Sequence, residues 1–164
     1  MKKILLLSQF FYPDLSGTGK ILAELCRGLS LRGYTIDVAA SRQEFGKKQA
    51  TLLSTFQRWE GINIYRSCKW FGNKDKTIGR IYNYLAVFLC TLICCTRNKL
   101  HKDKDVLISV SNPPIMPLIG LLLKNNNQKL QNLKYTDLIK KVNNKDKITT
   151  VGELKQNIID SMPS

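Results

Sequence analysis

The chain has 164 residues, enough for one domain with an adequate hydrophobic core, and its 43% hydrophobic and 23% charged residues are ordinary for a globular protein. The net charge of +14 implies attraction to an anionic partner, although lysine-rich codon usage accounts equally well for part of it. The basic residues are spread along the chain without clusters interleaved with aromatic residues, which excludes a typical nucleic-acid binder.

The cysteines and the amino terminus indicate a cytosolic protein. The five cysteines are odd in number and contain no Cys-x-x-Cys spacing, so no disulfide framework is predicted. The amino-terminal apolar run ends at Leu7 and is too short for the core of a signal peptide. We therefore expect reduced thiols in the cytoplasm.

A strand, a glycine-containing loop, a helix and a second strand open the chain. The run Ile4–Leu7 predicts a strand that is buried on both faces. Helical spacing of apolar residues follows from Ile21 to Leu31, and Gly33 ends this helix. The segment from Tyr34 to Ala40 is rich in β-formers. This βαβ unit predicts an α/β fold, a Rossmann-like parallel sheet flanked by helices.

The glycine loop fits neither of two standard phosphate-binding motifs. Leu22 stands where the dinucleotide motif needs its third glycine, and Asp14 stands where the P-loop needs its first. What remains is a loop, with Gly17 and Gly19, that leads into a helix amino terminus and could favour an anion. The alternative is that the glycines only permit a tight turn.

Residues 1–42 resemble the start of family 4 glycosyltransferases of the two-Rossmann-domain type, in the bacterial branch that adds sugars to lipid-linked or cell-surface glycans. The run from Ser8 to Pro13 is a fairly specific part of this resemblance. In that family the loop that matches Gly17, Thr18 and Gly19 lies at the interdomain cleft near the donor diphosphate. The resemblance therefore favours a phosphate-proximal role for this loop.

Residues 42–59 are polar and irregular and predict a loop, with a short docking helix as an alternative around Leu52, Leu53 and Phe56. Residues 60–66 alternate apolar and polar positions and predict a half-buried strand, similar to the third strand of the family. The flanking Trp59 and Trp70 are expected to pack rather than to bind a ligand.

Residues 80–99 contain an apolar stretch from Tyr84 to Cys95, shorter than the roughly 20 residues that a spanning helix needs. A fully buried helix, an interfacial helix and a re-entrant segment are all open. A helix that is apolar all round must bury both faces, and a small domain covers only one, so membrane contact is favoured. The residues predicted for this contact are Tyr84, Phe88 and Leu92, with Arg80 and Arg97 at headgroup level.

Cys90 and Cys94 are one helical turn apart and share a face, which could suggest a metal pair. Their surroundings are apolar, and the histidine at His101 lies beyond the helix, whereas zinc needs four convergent ligands. We therefore expect Cys90, Cys94 and Cys95 to act as small hydrophobic residues, with no metal and no cofactor in the protein.

Residues 105–110 predict a strand that ends at the polar pair Ser111 and Asn112. Loops at the carboxyl ends of parallel strands line the ligand crevice, so this pair is predicted to face the cleft on the acceptor side. The equally open alternative is a cap for the apolar run Ile115–Leu123. The Ser-Asn-Pro-Pro sequence is typical of the family.

Residues 124–164 are dominated by Lys, Asn and Gln and offer little for a core. A weak helix at 134–146, a strand at 147–151 and a terminal helix at 152–162 are predicted. We expect residues 1–123 to form the acceptor-side domain and residues 124–164 to be a remnant of the same domain. In the family a further strand and loop normally separate these parts, and an internal deletion would explain why this chain lacks them.

The resemblance implies transfer of a sugar from a nucleotide-diphosphate donor to a lipid-linked or glycan acceptor. The family's carboxy-terminal domain, which binds the donor, has no counterpart in these residues, so the chain is expected to be inactive alone unless a separately encoded half completes it. The alternative is a non-catalytic module of the same fold that binds an anionic membrane surface. In either case we expect it on the inner face of the plasma membrane, without nucleic acid.

Overall fold

The computed structural model describes residues 2–14, 17–42, 52–67, 77–110, 114–125 and 131–134. Their elements, in chain order, are β1 (Lys3–Leu7), α1 (Gly17–Leu31), β2 (Thr35–Ala40), β3 (Phe56–Trp59), β4 (Ile62–Arg66), α2 (Thr77–Arg97), β5 (Val106–Ser109), α3 (Met116–Asn125) and β6 (Gln131–Lys134). The strands form one sheet in the order β3-β4-β2-β1-β5-β6. All neighbours are parallel except β3, which is antiparallel at one edge. The predicted α/β class is confirmed.

The predicted strand–helix–strand unit is also confirmed. β1 and β2 pair in parallel, with Leu6 opposite Val38. Because successive strand side chains point to opposite faces, β1 contributes to two cores. Leu6 packs in the core beneath α1, whereas Leu5 and Leu7 pack in the core beneath α2 and α3. A strand of continuous apolar residues is what a sheet covered on both faces requires.

Helix α1 ends at a glycine, as predicted. Gly33 has a φ of 85°, a left-handed conformation. Its N–H donates to the Ser30 carbonyl at 3.0 Å, and the Tyr34 N–H donates to the Leu29 carbonyl at 3.2 Å. These two bonds form a Schellman motif, which satisfies carbonyl groups at the end of the helix.

This geometry predicts different effects for one substitution at two glycines of the same unit. Gly33→Ala is expected to lower the free energy of unfolding by about 1–2 kcal/mol, because a Cβ is strained at positive φ. Gly17→Ala is the matched control. Gly17 does not have positive φ, and an added Cβ would meet no atom within 4 Å, so no loss is expected there. Urea denaturation measures both, and equal effects would contradict this account.

A β-hairpin replaces the loop or short helix predicted around Phe56. β3 pairs with β4, with Phe56 opposite Tyr65. Glu60 and Gly61 have φ values of 46° and 80° and form the turn, so the predicted strand at 60–66 begins two residues late. Two consecutive residues with positive φ are typical of a type I′ turn, whose twist matches that of the strands. The turn docks on α1 through an ion pair of 2.8 Å between Arg27 Nε and Glu60 Oε2.

Helix α2 covers the sheet with one side only. Its buried residues recur every fourth position and include the polar Asn83 and Thr91. The opposite side exposes an apolar stripe, which consists of Ile78, Ile81, Tyr82, Leu85, Leu89 and Ile93. The alternative of a fully buried helix is therefore wrong. α2 has 21 residues and so extends beyond the apolar stretch from Tyr84 to Cys95, which alone is too short; by length and composition alone, it is long and apolar enough to cross a membrane.

The sequence predicts no strand near residue 131, and this is wrong. β6 pairs in parallel with β5, with Val106 opposite Gln131. The ladder hydrogen bonds use backbone groups, so a strand of polar residues can extend a sheet at its edge. The predictions for Trp70, Ser111, Asn112 and residues 135–164 lie outside the described residues.

Candidate functional site

The candidate site lies at the carboxyl edge of the sheet, where the parallel strands end together. Pairing continues past the ends of the strands: the Ser8 N–H donates to the Ala39 carbonyl and the Ser41 N–H donates to the Gln9 carbonyl, both at 3.1 Å. On the other side of β1, the Val110 N–H donates to the Leu7 carbonyl at 3.0 Å. These bonds hold the first residues of the edge loops in register. In open α/β sheets ligands bind at this edge.

Gln9 brings an unpaired polar group to this edge. Its side chain is only 2% exposed, and within the described part of the chain its Nε2 has no hydrogen-bond partner. The hydroxyl of Ser109, at the end of the neighbouring β5, is in the same condition. A buried donor without a partner costs about 1–3 kcal/mol, so such groups call for a physical reason. A ligand that enters the crevice would supply the missing hydrogen-bond acceptor.

The residues Gly17, Thr18 and Gly19 form the first turn of α1 rather than a loop before it. This first turn carries no acidic residue, so no side chain within it neutralises the positive end of the helix dipole. Gly17 has neither positive φ nor a crowded Cβ position, and the fold therefore does not require glycine there. A glycine that the backbone does not need leaves room for a ligand to approach the amide groups.

Residues 8–14, which follow β1, are held by residues from β3 and β4 and by a hydrogen bond among themselves. Arg66 Nη2 donates to the Tyr12 carbonyl at 2.5 Å, and the Ser8 hydroxyl donates to the Phe10 carbonyl at 2.7 Å. The Tyr12 ring stacks on Trp59 with centroids 4.3 Å apart. Trp59 is thus a packing residue, as predicted.

Sequence reasoning missed Gln9 and Arg66 as site residues. Gln9 lies in the run that resembles the family, and a polar residue directly after a buried strand was the available signal. Arg66 contacts a residue 54 positions earlier in the chain, and no local pattern predicts such a contact.

A buried ion pair joins β2 to the segment before β5, away from the carboxyl edge. Lys104 Nζ lies 2.6 Å from Asp37 Oδ2, and the two side chains are 8% and 10% exposed. Asn63 Nδ2 donates to the other carboxylate oxygen at 2.8 Å. Asp37 is thus engaged on both oxygens, within strand β2, and is not an acidic residue that faces a ligand crevice.

The residues predicted for membrane contact lie along α2. Arg80 and Arg97 are exposed near the two ends of the helix. Tyr84, Phe88 and Leu92 are partly buried, and the last two pack against the core beneath α2. The surface stripe of α2 is therefore formed by other apolar residues than those predicted.

The cysteines of the described residues are mainly apolar packing groups. Burial raises the pKa of the Cys26 thiol to about 12. Burial also raises the pKa of Cys95, to which the neighbouring Cys94 adds. The thiolate is the form that ligates metals, and burial disfavours it. Within the described residues no three His, Cys, Asp or Glu side chains converge as a metal site.

No family model and no curated protein sequence matches this chain. Among solved structures, the chain is similar to sucrose-phosphate synthase from Thermosynechococcus elongatus, with a TM-score of 0.51 and 10% sequence identity. The match covers 82% of this chain and 32% of the other, so this chain spans about a third of that protein's length. At this identity the likeness shows the fold alone.

Proposed function

We propose that this chain is the amino-terminal, acceptor-side domain of a family 4 glycosyltransferase. In this role, the carboxyl edge of the sheet forms one wall of a cleft, and a second Rossmann domain, in the same polypeptide or in a separate chain, forms the other. The reaction moves a sugar from a nucleotide-diphosphate donor to a lipid-linked or glycan acceptor. The glycosyltransferase-like fold and the sequence resemblance of residues 1–42 support this proposal.

The observation that carries the proposal is the unpaired Nε2 of Gln9, within the described residues, at the edge where α1 presents its amino terminus. A side-chain amide and a helix dipole both favour an anionic oxygen. A diphosphate is such a group, and its negative charge increases as it leaves during glycosyl transfer. Hydrogen-bond donors that are already in position stabilise this charge without reorganisation.

The two domains would divide the chemistry between them. This chain supplies the wall of the cleft that faces the sugar acceptor, and it supplies hydrogen-bond donors near the leaving diphosphate. The second domain holds the nucleotide. Transfer needs both domains, because the sugar donor and the acceptor must be aligned and the charge on the leaving diphosphate must be stabilised. We therefore expect nucleoside diphosphate release only when a donor-binding domain is present.

The Gln9 amide is tested by Gln9→Leu, which keeps the approximate size of the side chain. The folded protein should be no less stable, since an unpaired buried donor is removed. Affinity for a nucleotide-diphosphate sugar, chosen from a panel of uridine, guanosine and adenosine donors, should fall about tenfold, as expected for loss of one charge-assisted hydrogen bond. Thermal unfolding and ligand-observed NMR measure the two effects.

Gln57→Leu is the matched control, since Gln57 lies within the edge strand β3 and not at the carboxyl edge. It should leave the affinity unchanged. An equal affinity for Gln9→Leu and the unsubstituted protein would remove Gln9 from the site.

A second candidate function is binding to an anionic membrane surface, at the inner face of the plasma membrane. The specific observation is the inverted pattern of α2, in which Asn83 and Thr91 are buried while Leu85 and Leu89 are about half exposed. Exposed apolar patches of this kind mark interaction surfaces. The net charge of +14 favours an anionic bilayer over a neutral one. Flotation with vesicles that contain phosphatidylglycerol tests this function, and failure to co-float at low salt would exclude it.

A further inference from the structure

A cleft of about 620 Å³ lies between the β3–β4 hairpin and the carboxy-terminal half of α2. It is lined by Phe56, Tyr65, Cys90, Ile93, Cys94 and Arg97, among others. The proposed donor site involves Gln9 and the first turn of α1, and none of these residues lines the cleft. Arg66, whose guanidinium donates to the Tyr12 carbonyl, is also a lining residue, so the cleft shares this residue with the candidate site but not the proposed diphosphate contacts.

One wall of the cleft is apolar. Phe56 is 49% exposed, and its ring centroid lies 5.0 Å from that of Tyr65. Ile93 is 59% exposed on the facing helix. Cys90 and Cys94 line the cleft between them as small, weakly polar groups, and burial raises the pKa of Cys94. An aromatic pair that faces an aliphatic side chain and two thiols suits a hydrocarbon chain.

The lining also contains polar and cationic side chains, among them Arg97, Arg66 and Ser67. Arg97 is exposed, and it has no ion-pair partner within the described residues. No Asp or Glu is among the described residues that line the cleft. The Ser67 hydroxyl, also in the lining, is buried and lacks a hydrogen-bond partner within the same part of the chain. An exposed guanidinium without a competing carboxylate suits a phosphate group.

The apolar wall continues onto the surface of α2. Ile93 lines the cleft and is also the last residue of the exposed stripe that includes Leu89 and Leu85. Residues four positions apart lie on one helix face, so these side chains form a continuous track away from Arg97. A hydrocarbon chain longer than the cleft could follow this track.

We propose that this cleft binds one membrane lipid that carries a phosphate headgroup, with the phosphate at Arg97 and the hydrocarbon chain against Phe56, Tyr65 and Ile93. This assignment deepens the proposed function. Its one dependence on that function is the role of the bound lipid, which would be the lipid-linked acceptor or its membrane neighbour. Binding itself does not need the second domain.

The test uses the full chain and dodecyl phosphate below its micellar concentration as the probe. During the titration, the methyl signals of Ile93 and the backbone amide signals of Ile93 and Tyr65 should shift and reach saturation. Inorganic phosphate lacks the chain and should bind at least about 100-fold more weakly, and dodecyl maltoside lacks the charge and should bind at least about tenfold more weakly. Equal affinity for the two detergents, or shifts confined to the first turn of α1, would overturn the proposal.

Arg97→Gln should weaken dodecyl phosphate binding about tenfold, because one charge-assisted contact is lost. Lys102→Gln is the control: it removes an equal charge from an exposed turn outside the cleft and should have no comparable effect. Ile93→Ser should weaken dodecyl phosphate and dodecyl maltoside alike. Both cleft substitutions are at exposed positions, so an unfolded variant is not expected. Unchanged affinity in Arg97→Gln would contradict the proposal.

These outcomes separate the two proposals. If dodecyl phosphate fails to bind while nucleotide-diphosphate sugars still depend on Gln9, the cleft is not a lipid site and the glycosyltransferase proposal stands. If dodecyl phosphate binds as predicted but no nucleotide-diphosphate sugar binds, the lipid site stands and the acceptor role is lost.

Discussion

Lys104→Met is expected to lower the free energy of unfolding by about 3–5 kcal/mol, the largest loss that we predict for a single substitution. Lys104 Nζ lies 2.6 Å from Asp37 Oδ2, and the two side chains are only 8% and 10% exposed. Removal of the ammonium would leave the carboxylate buried without a counter-charge. Against a typical total stability of about 5–15 kcal/mol, such a loss would remove a large part of the stability of the protein.

The double variant Asp37→Asn/Lys104→Met separates the charge effect from the packing effect. The amide oxygen introduced by Asp37→Asn could still accept the hydrogen bond that Asn63 donates, and no buried charge would remain at this pair. Most of the lost stability should therefore return, because a neutral replacement of a buried ion pair is often tolerated. Urea denaturation at constant pH measures both variants. A loss below about 1 kcal/mol for Lys104→Met would show that the pair is not buried as described.

Leu85→Glu/Leu89→Glu is expected to lower binding to phosphatidylglycerol vesicles by at least about 100-fold. Each leucine, once inserted, would contribute about 1.5–3 kcal/mol, so the pair accounts for at least about two factors of ten. The new carboxylates would also repel an anionic surface. Since these side chains are 46% and 54% exposed in the folded protein, its stability should change little.

The matched control for this experiment is Leu31→Glu. Leu31 is 82% exposed, but it ends α1 on the opposite face of the sheet. It should leave co-flotation nearly unchanged, apart from a small effect of net charge. Co-flotation of Leu85→Glu/Leu89→Glu at the level of the unsubstituted protein would exclude the stripe of α2 as the membrane surface.

The first βαβ unit could be predicted because its signals are local and agree with one another. The apolar run Ile4–Leu7 specifies the first strand, the helical spacing that follows specifies α1, and Gly33 specifies where α1 ends. The structure confirms all three. β3 and β6 could not be predicted in the same way. β3 is only four residues long, with Gln57 and Arg58 at its centre, and the four residues of β6 include just one apolar side chain. Both are edge strands whose position depends on backbone pairing with a neighbour.

The candidate site was only partly accessible from the sequence. The glycines at the start of α1 are a local pattern and were found, although they belong to the helix. The unpaired state of Gln9 within the described residues depends on what surrounds it in three dimensions, so composition and spacing cannot reveal it. The same limit applies to α2: since nearly every residue is apolar, periodicity could not show that Asn83 faces inwards and Leu85 outwards.

The most direct test of the glycosyltransferase proposal is an NMR titration of the isotopically labelled chain with a panel of nucleotide-diphosphate sugars. For at least one donor, we expect saturable shifts of the Gln9 side-chain amide together with the backbone amides of Gly17 and Gly19. Pyrophosphate should compete for the same signals. If no donor shifts these three groups at millimolar concentration, or if the shifts lie elsewhere on the sheet, the carboxyl edge is not a donor-diphosphate site and the proposed function is wrong.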